Sequence, residues 1–229
     1  MRDAFAIDIL RRCALFEHAD VDALAEVAGR LRRRHFRRNE VIFHQGDPGD
    51  SLHVVNSGAV KIVLPSPEGM EAIIATLRPG DFFGELSLLD GAPRSATAVA
   101  LEASETLALP RDAFRELLDQ DTGLRDALLV GLAHELRRVT GQVEELHFLD
   151  LAGRLAMRLS RLARDADPAS DEVRLDWPYT QSDLASMIGG TRQSVNKLLS
   201  ELVYAGLVRI ERDTLVIPSV AALERQADR

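Results

Sequence analysis

The sequence predicts an α+β chain in which a roll of short strands precedes a long helix, and a pair of short helices precedes a β-hairpin. Three observations predict this fold class. Residues 36–110 form short apolar segments that each end in a turn signal, and residues 122–149 carry a long helical pattern. Residues 180–217 hold two capped helical segments followed by alternating apolar positions. With 229 residues the chain can form two modest cores, so we expect a boundary within it.

Composition narrows the possible functions. The formal net charge is −8, and residues 150–229 contain eleven basic and twelve acidic side chains, so only a local patch could bind nucleic acid. Cys13 is the single cysteine, which excludes an internal disulfide and an all-cysteine metal or iron–sulfur site; we predict a buried thiol rather than a sensor. The N-terminus lacks a signal-peptide pattern and no apolar run is long enough to span a membrane, which predicts a cytoplasmic protein with no membrane partner.

The N-terminal part begins with a helical pattern over residues 20–33. Val21, Leu24, Val27 and Leu31 share one face of that helix. The pattern ends in the basic run "RLRRRHFRR". We interpret this run as a solvated helix end and the strand that follows, in preference to an arm that binds nucleic acid.

The segments from Phe36 to about Pro110 predict a compact all-β barrel or jelly-roll-like fold. Apolar residues alternate or cluster in "EVIFHQGD", "SLHVVNSGAVKIVL", "EAIIATLRPGDFF" and "SATAVALEASETLALP". The turn signals are "GDPGD", "NSG", "SPEG", "RPGD" and "DGAP". Turns every 8–12 residues between short strands are typical of such a fold.

Two helices follow the strands, a short one over Arg111–Asp119 and a long one over residues 122–149. In the long helix the spacing of 4, 3, 4 and 3 residues between apolar positions is that of a coiled-coil seam: Leu132, Leu136, Val139, Val143 and Leu146. Polar outer positions favour a dimer seam. The alternative is a helix that packs on its own barrel.

The chain is expected to bend at Leu149–Asp150, where a capping residue starts the helix "LAGRLAMRLSRLARDA". Arg154, Arg158, Arg161 and Arg164 recur in it at helical spacing, which predicts a solvated face rather than a DNA contact. An acidic loop and a strand, "VRLDW", come next. We divide the chain into residues 1–120, a long helix at 121–149, and residues 150–229.

The C-terminal part carries a helix-turn-helix pattern. Thr180 can cap a helix that extends to Met187, Gly189–Gly190 form a turn, and Thr191 can cap a second helix that reaches about Tyr204. Ala185, Ile188, Val195 and Leu198 are the apolar positions that pack the helix pair together. After Gly206, "LVRIERDTLVI" predicts a two-stranded wing with a turn at Arg212–Asp213.

One face of the second helix can read DNA. Arginine is suited to guanine, and Gln or Asn to adenine, in the major groove. Side chains and amides at helix starts can contact phosphates. The predicted DNA-binding residues are Thr180, Gln181, Thr191, Arg192, Gln193, Ser194, Asn196 and Lys197.

A second candidate site lies in "FFGELSLLDGAPRSA", residues 82–96. Residues from Gly84 to Leu89 permit one helical turn whose free amides can meet an anion. Arg94 offers a planar fork for a phosphate, and Glu85 offers an acceptor for a hydroxyl. A ligand with a sugar hydroxyl close to a phosphate would satisfy both. From spacing alone, a Glu85–Arg94 ion pair that closes the barrel explains the motif equally well.

The order of these motifs resembles the cyclic AMP receptor protein/FNR (Crp-Fnr) family of bacterial transcription regulators over about residues 10–217. The strands with "QGDPGDSLHVVNSGAVKI" and "RPGDFFGELSLLDGAPRSATA" resemble its cyclic-nucleotide-binding β-roll, which a "FLDLAGRLA" hinge and a winged helix-turn-helix follow. The resemblance implies that Glu85 binds the ribose hydroxyl and that Arg94 and Ser95 hold the cyclic phosphate. The other residues that it implies near the ligand are Phe83, Gly84, Leu86, Ser87, Ile74, Ala75 and Ala96.

Two departures from the family pattern bear on specificity. The family's Thr–Ser pair that reads adenine corresponds to Val139–Thr140, and a valine cannot hydrogen-bond a base. Thr140 is therefore the one polar base reader that the resemblance implies. In the recognition helix, "TRQSVNK" places Gln193 where the family often has a glutamate, which implies a different base pair in the DNA half-site.

The resemblance implies a homodimer that binds double-stranded DNA at a two-fold symmetric operator and contacts RNA polymerase. Its allosteric ligand would be cyclic AMP; the alternatives are DNA binding without nucleotide and a response to cyclic GMP. No metal, haem or iron–sulfur cluster is expected. An enzyme of the metal-dependent cupin type would need a His-x-His motif, which the chain lacks, and no nucleophile–base arrangement is evident.

Overall fold

A computed structural model describes residues 2–16, 19, 21–66, 70–212 and 214–227. The described residues form two compact units, one within Met1–Pro65 and Ile73–Arg137, the other within Ser66–Ala72 and Arg138–Arg229. The architecture is α+β: a β-sheet unit, a long helix and a helix-turn-helix unit, as predicted. No helix in these described ranges is long and apolar enough to cross a membrane.

The N-terminal unit begins with helices α1 (Arg2–Arg12) and α2 (Val21–Arg30), separated by a 3-10 turn at Ala14–Phe16. Eight strands follow in two antiparallel sheets of four. Their bounds are β1 Arg32–Phe36, β2 Val41–Phe43, β3 Ser51–Ser57, β4 Val60–Pro65, β5 Glu71–Leu77, β6 Phe82–Phe83, β7 Thr97–Ala100 and β8 Ser104–Pro110. Part of the predicted "SPEG" turn, residues 67–69, falls outside the described ranges.

The strand order is β1-β8-β3-β6 in one sheet and β2-β7-β4-β5 in the other. Helix α3 (Leu86–Asp90) lies between β6 and β7, and helices α4 (Arg111–Gln120) and α5 (Thr122–Phe148) follow β8. The basic run is confirmed as a helix end and a strand, because α2 ends at Arg30 and β1 starts at Arg32. The strands therefore begin four residues before the predicted start at Phe36.

Two cores stabilise this unit. The larger one joins one face of the first sheet to the helices and includes Leu52, Leu107, Phe16, Phe114 and Leu128. The smaller one lies around Val55, Val60, Phe83 and Ala98. Cys13 is fully buried in the larger core, as predicted, and burial raises the pKa of its thiol to about 12.

The C-terminal unit contains helices α6 (Leu151–Ala166), α7 (Gln181–Ile188), α8 (Arg192–Tyr204) and α9 (Val220–Ala227). Strands β9 (Val173–Asp176), β10 (Arg209–Glu211) and β11 (Thr214–Ile217) form a sheet in the order β10-β11-β9. The wing is therefore confirmed, with β9 as a third strand. Asp213 of the predicted turn is outside the described ranges, and Arg212 has a φ of 54°.

Asp150 starts α6 as predicted, because its side chain accepts a hydrogen bond from the amide of Gly153 at 2.8 Å. The solvated arginine face predicted for α6 is wrong. Arg154 donates to the carbonyl of Ile188 at 2.8 Å, Arg161 pairs with Glu145, and Arg164 pairs with Glu224. Burial lowers the pKa of Arg158 on the same helix. These arginines stabilise their own unit because acceptors on neighbouring helices reach them.

Candidate functional site

The first candidate site begins with a glycine that no other residue could replace without strain. Gly84 has a φ of 85°, and a Cβ added there would lie 2.5 Å from Nη1 of Arg94. Glu85 is the N-terminal cap residue of α3, and Gly91 ends the helix in the left-handed conformation. The predicted single turn is therefore present, and its first amides have no acceptor within the helix.

Arg94 is buried, with only 3% of its surface exposed, and its guanidinium is held by four hydrogen bonds. Nη1 donates to the carbonyl of Gly84 at 2.7 Å and to Ser87 Oγ at 3.1 Å. Nη2 donates to the carbonyl of Ser51 at 2.8 Å and to the Asp50 carboxylate at 3.3 Å. Together these contacts hold the guanidinium against the start of α3.

The surroundings of Arg94 leave one donor without an acceptor. Its guanidinium carbon lies 4.1 Å from the centre of the Phe43 ring. Nε of Arg94 is buried and has no partner among the described residues. Burial lowers the pKa of Arg94, and the charge of Asp50 acts in the opposite direction. A buried N–H without an acceptor is unfavourable, so a ligand oxygen at Nε would be stabilising.

Glu85 does not form the ion pair with Arg94 that the spacing allowed. In the described part of the chain Arg94 pairs with Asp50 and forms no ion pair with Glu85, whose carboxylate accepts a hydrogen bond from its own backbone amide. Burial raises the pKa of Glu85; the charge of Glu135 raises it further and that of Arg94 lowers it. Glu85 is therefore not held by Arg94, and its carboxylate can accept a further hydrogen bond from a ligand hydroxyl.

The remaining predicted ligand residues differ in exposure. Phe83, Ala75, Ala96 and Ser87 are buried, Ile74 is half-buried, and Leu86 and Ser95 are exposed. Val139 and Thr140 lie on α5 in the other compact unit, and both are exposed. Their proposed contact with a ligand stays a prediction.

The residues that position this site carry no clear signal in the sequence. The segment "GDPGDS", residues 46–51, looked like a turn signal, yet Asp50 and Ser51 hold the guanidinium. The backbone of Arg94 also exchanges hydrogen bonds with Gly46 and Asp47, at 2.9 Å each. No local pattern marks a carbonyl as an acceptor for a distant arginine. The close packing of loop glycines next to polar residues is the only signal that could have pointed to it.

The second candidate site is the helix-turn-helix. Thr180 forms a capping box with Asp183: its Oγ1 accepts from the Asp183 amide at 3.0 Å, and Asp183 accepts from the Thr180 amide at 2.9 Å. Gly189 ends α7 in the left-handed conformation with a φ of 70°. Thr191 caps α8, because its Oγ1 accepts from the Ser194 amide at 3.1 Å. Both caps are confirmed.

Helix α8 separates an apolar face from a polar one. Val195 and Leu199 are buried against the rest of the unit. The four predicted base readers are exposed: Arg192, Gln193, Asn196 and Lys197. Nε of Arg192 donates to Gln181 Oε1 at 3.4 Å, which links the starts of the two helices. The geometry therefore presents donors and acceptors on one face, as readout in a DNA groove requires.

Comparisons with known proteins match the two parts of the chain that hold these candidate sites. A cyclic nucleotide-binding domain model matches residues 33–121, and a Crp-like helix-turn-helix domain model matches residues 153–226. The "CRP-like cAMP-activated global transcriptional regulator" of Mycobacterium tuberculosis is 33% identical over 96% of this chain and 99% of its own length. The chain belongs to the Crp-Fnr family of transcription regulators.

Solved structures of the Crp-Fnr family agree with this fold. The crystal structure of the Thermus thermophilus catabolite activator protein superposes with a TM-score of 0.54 at 32% identity, over 94% of this chain and 98% of the other. FixK2 from Bradyrhizobium japonicum superposes with a TM-score of 0.77 at 21% identity, over 86% of this chain and 96% of the other. This Crp-Fnr protein is thus a DNA-binding transcription regulator with a cyclic-nucleotide-binding domain.

Proposed function

We propose that the chain is a homodimeric transcription regulator that cyclic AMP controls. The observation that carries the proposal is Arg94, which is buried beside the start of α3 with Nε lacking an acceptor among the described residues, while Glu85 nearby forms no ion pair with it. The cyclic phosphate would meet Arg94, Ser95 and the first amides of α3. Glu85 would accept from the ribose hydroxyl, and Thr140 would read the base.

The name of the M. tuberculosis relative supports cyclic AMP as the ligand, since that protein is called cAMP-activated. Cyclic GMP shares the ribose and the cyclic phosphate, so the contacts of Glu85 and Arg94 do not discriminate between the two. Discrimination would depend on Thr140, because Val139 offers no hydrogen bond. The proposal includes a sensor at residues 1–120, a dimer helix at 121–149 and a DNA-binding domain at 150–229.

The second half of α5 supports the dimer. Leu136 is 68% exposed and Leu146 is 58% exposed, with Val139 and Val143 between them on the same seam. An apolar stripe of this kind is stabilised when it packs on an equivalent helix. In the dimer the two α8 helices would lie about 34 Å apart, which matches half-sites one DNA turn apart. Cyclic AMP would shift the balance toward that arrangement through a higher affinity for it.

Calorimetry with cyclic AMP and cyclic GMP tests the ligand. We expect saturable binding of cyclic AMP by the purified protein and none that is measurable by Arg94→Leu, because the leucine removes the cation that meets the phosphate. Arg125→Leu is the matched control, since Arg125 is exposed on α5 outside the site. Binding by Arg94→Leu equal to that of the control would contradict the proposal.

A second candidate function keeps the DNA binding and dispenses with the ligand. The four hydrogen bonds that Arg94 already makes favour it, because they stabilise the loop without a nucleotide. Operator binding with and without cyclic AMP and cyclic GMP distinguishes the two candidates. Unchanged DNA affinity, together with no heat on nucleotide addition, would support the second. RNA polymerase is the further partner that we propose for either.

Arg192 tests the DNA-binding face. We expect Arg192→Ala to weaken specific operator binding by about 1–3 kcal/mol and to relax the preference at one base pair. Arg225→Ala is the control, because Arg225 is exposed on α9 in the same unit and carries the same charge. If both variants bind as specifically as the unaltered protein, a different face enters the groove.

A further inference from the structure

A concave region lies in the N-terminal unit, on the side of β1 and β2. Its volume is about 560 Å³, within the range of small-molecule sites. Apolar walls come from Phe36, Ile42 and Phe43. Arg94 lines this cavity and is also a predicted nucleotide contact, so the cavity adjoins the predicted nucleotide site at that side chain.

The charges around this cavity favour an anion. Arg32 and Arg34 line it from alternate positions of β1 and have no hydrogen bond or ion pair among the described residues. Arg33 and His35, at the positions between, instead contact Glu105 at 3.7 and 2.6 Å.

Both carboxylates of the lining already have partners. Asp50 accepts from Arg94 and from Ser51, and Asp47 accepts from the amide of His44 at 2.8 Å. Three arginines, Arg32, Arg34 and Arg94, line the cavity together with these two carboxylates, so the lining carries a net positive charge.

His53 forms part of the wall and adds no positive charge near neutral pH. Burial and the charge of Arg94 lower its pKa to about 4. Its ring nitrogens lie 3.1 Å from Ser51 Oγ and 3.0 Å from Thr106 Oγ1, and its ring stacks on Phe83 at 5.1 Å. These contacts hold the His53 ring in one orientation. The cationic side chains that can reorient toward a ligand are therefore Arg32 and Arg34 on β1.

We propose that this cavity binds a small organic anion with an apolar body, whose acidic group is held by Arg32 and Arg34. Arginine forks suit carboxylate, sulfonate and phosphate groups, and the phenylalanine and isoleucine walls suit the apolar part. The cavity adjoins the proposed cyclic AMP site at Arg94, but Arg32 and Arg34 are not among the predicted nucleotide contacts, so an anion bound by them would give the regulator a second chemical input.

The probe for this site is 8-anilinonaphthalene-1-sulfonate, an aromatic sulfonate whose fluorescence reports binding. We expect saturable binding to the full chain with one site per chain. Arg32→Gln/Arg34→Gln should weaken it about tenfold or more, the loss expected from charge-assisted hydrogen bonds. Both side chains are exposed, so the fold should persist, which a melting curve by circular dichroism checks.

Two control variants separate this site from others. Arg37→Gln/Arg38→Gln changes the charge equally without altering the cavity lining and should bind the probe like the unaltered protein. Glu85→Gln should also bind it normally, even where it fails to bind cyclic AMP. Loss of probe binding in Glu85→Gln, or equal affinity in both double-arginine variants, would overturn the proposal. Tight binding of the uncharged N-phenyl-1-naphthylamine would also overturn it, because apolar adsorption would then explain the signal.

Discussion

At the scale of single residues, His53 shows that a buried polar side chain is tolerated when its neighbours satisfy it. It is 6% exposed, and a hydroxyl lies within hydrogen-bond distance of each ring nitrogen. Its pKa falls from the ordinary 6.5 to about 4 because the buried ring is disfavoured in its charged form. Between about pH 4 and pH 6.5 the folded chain therefore binds fewer protons at His53 than the unfolded chain does.

This difference predicts that stability falls as the pH drops from about 6.5 toward 4. The unfolded chain gains a proton at His53 in that range, so unfolding becomes more favourable. Between pH 7 and 4.5 we expect His53→Gln to lose about 2 kcal/mol less of its unfolding free energy than the unaltered protein. Urea denaturation at both pH values measures it. Equal losses would show that His53 does not titrate in this way.

Residues with a special backbone or a distinctive charge were predictable from the sequence. Gly84 and Arg94 stood out because a glycine between aromatic and acidic residues, and an arginine before "SA", are local patterns. Asp50 was not predictable, because its contact with Arg94 joins positions 44 residues apart. The separation of Glu85 from Arg94 depends on the same long-range contacts, which is why spacing left the ion pair open.

At the scale of elements, α4 holds α3 in place through two arginines. Nε of Arg111 donates to the carbonyl of Gly49 at 2.9 Å, and its Nη2 donates to that of Ser87 at 3.1 Å. Arg115 donates to the carbonyl of Leu88 at 3.3 Å. Carbonyls near the end of a helix lack intrahelical donors, so these arginines act as its C-terminal partners. A shift of α3 would therefore lengthen or break its hydrogen bonds to Arg111 and Arg115 on α4.

Arg111 is accordingly a positioning residue for the proposed nucleotide site. We expect Arg111→Gln to lower the unfolding free energy by about 1–3 kcal/mol and to weaken cyclic AMP binding about three- to tenfold. Denaturation and calorimetry measure the two effects, with Arg125→Gln as control. Partial rescue of affinity by Arg111→Lys would support positioning by charge. A stability loss with unaltered affinity would show that α4 does not position the site.

The elements with strong local patterns were predictable and the others were not. Both caps of the helix-turn-helix and the bounds of α4, α5 and α8 agree with the sequence to within one or two residues. Helices α1 and α9 were missed, because α1 has scattered charges and α9 is only 8 residues long. Strand β3 is buried on both faces and shows no simple alternation, so its partners were not predictable.

At the scale of the whole molecule, the first part of α5 packs on its own β-sheet unit, and the dimer seam stays a prediction for the second part. Leu124 and Leu128 are buried in the N-terminal core, and Leu132 packs against it. From Leu136 onward the apolar positions are exposed, as a seam for a second chain requires. The buried leucines are four residues apart and the exposed apolar positions three or four, and both spacings follow one helix face, so the sequence alone does not distinguish the two parts.

Leu136 tests the proposed dimer. We expect the unaltered protein to sediment as a dimer and Leu136→Glu to sediment as a monomer, because two buried carboxylates would face each other across the seam. Arg137→Glu places a carboxylate at the neighbouring outer position and should remain dimeric. Sedimentation velocity measures the three masses. A dimeric Leu136→Glu would place the interface elsewhere on the chain.

The position of Cys13 has a practical consequence for probe chemistry. Maleimides react with thiolates, and a buried thiol with a pKa of about 12 supplies almost none at pH 7. Cys13 should therefore react very little with maleimides, and a label can be directed to an introduced cysteine. A cysteine introduced at an exposed position of α8, such as Lys197, can carry a spin label or a fluorophore without removal of Cys13. In the proposed dimer, two such labels would report the separation of the recognition helices directly.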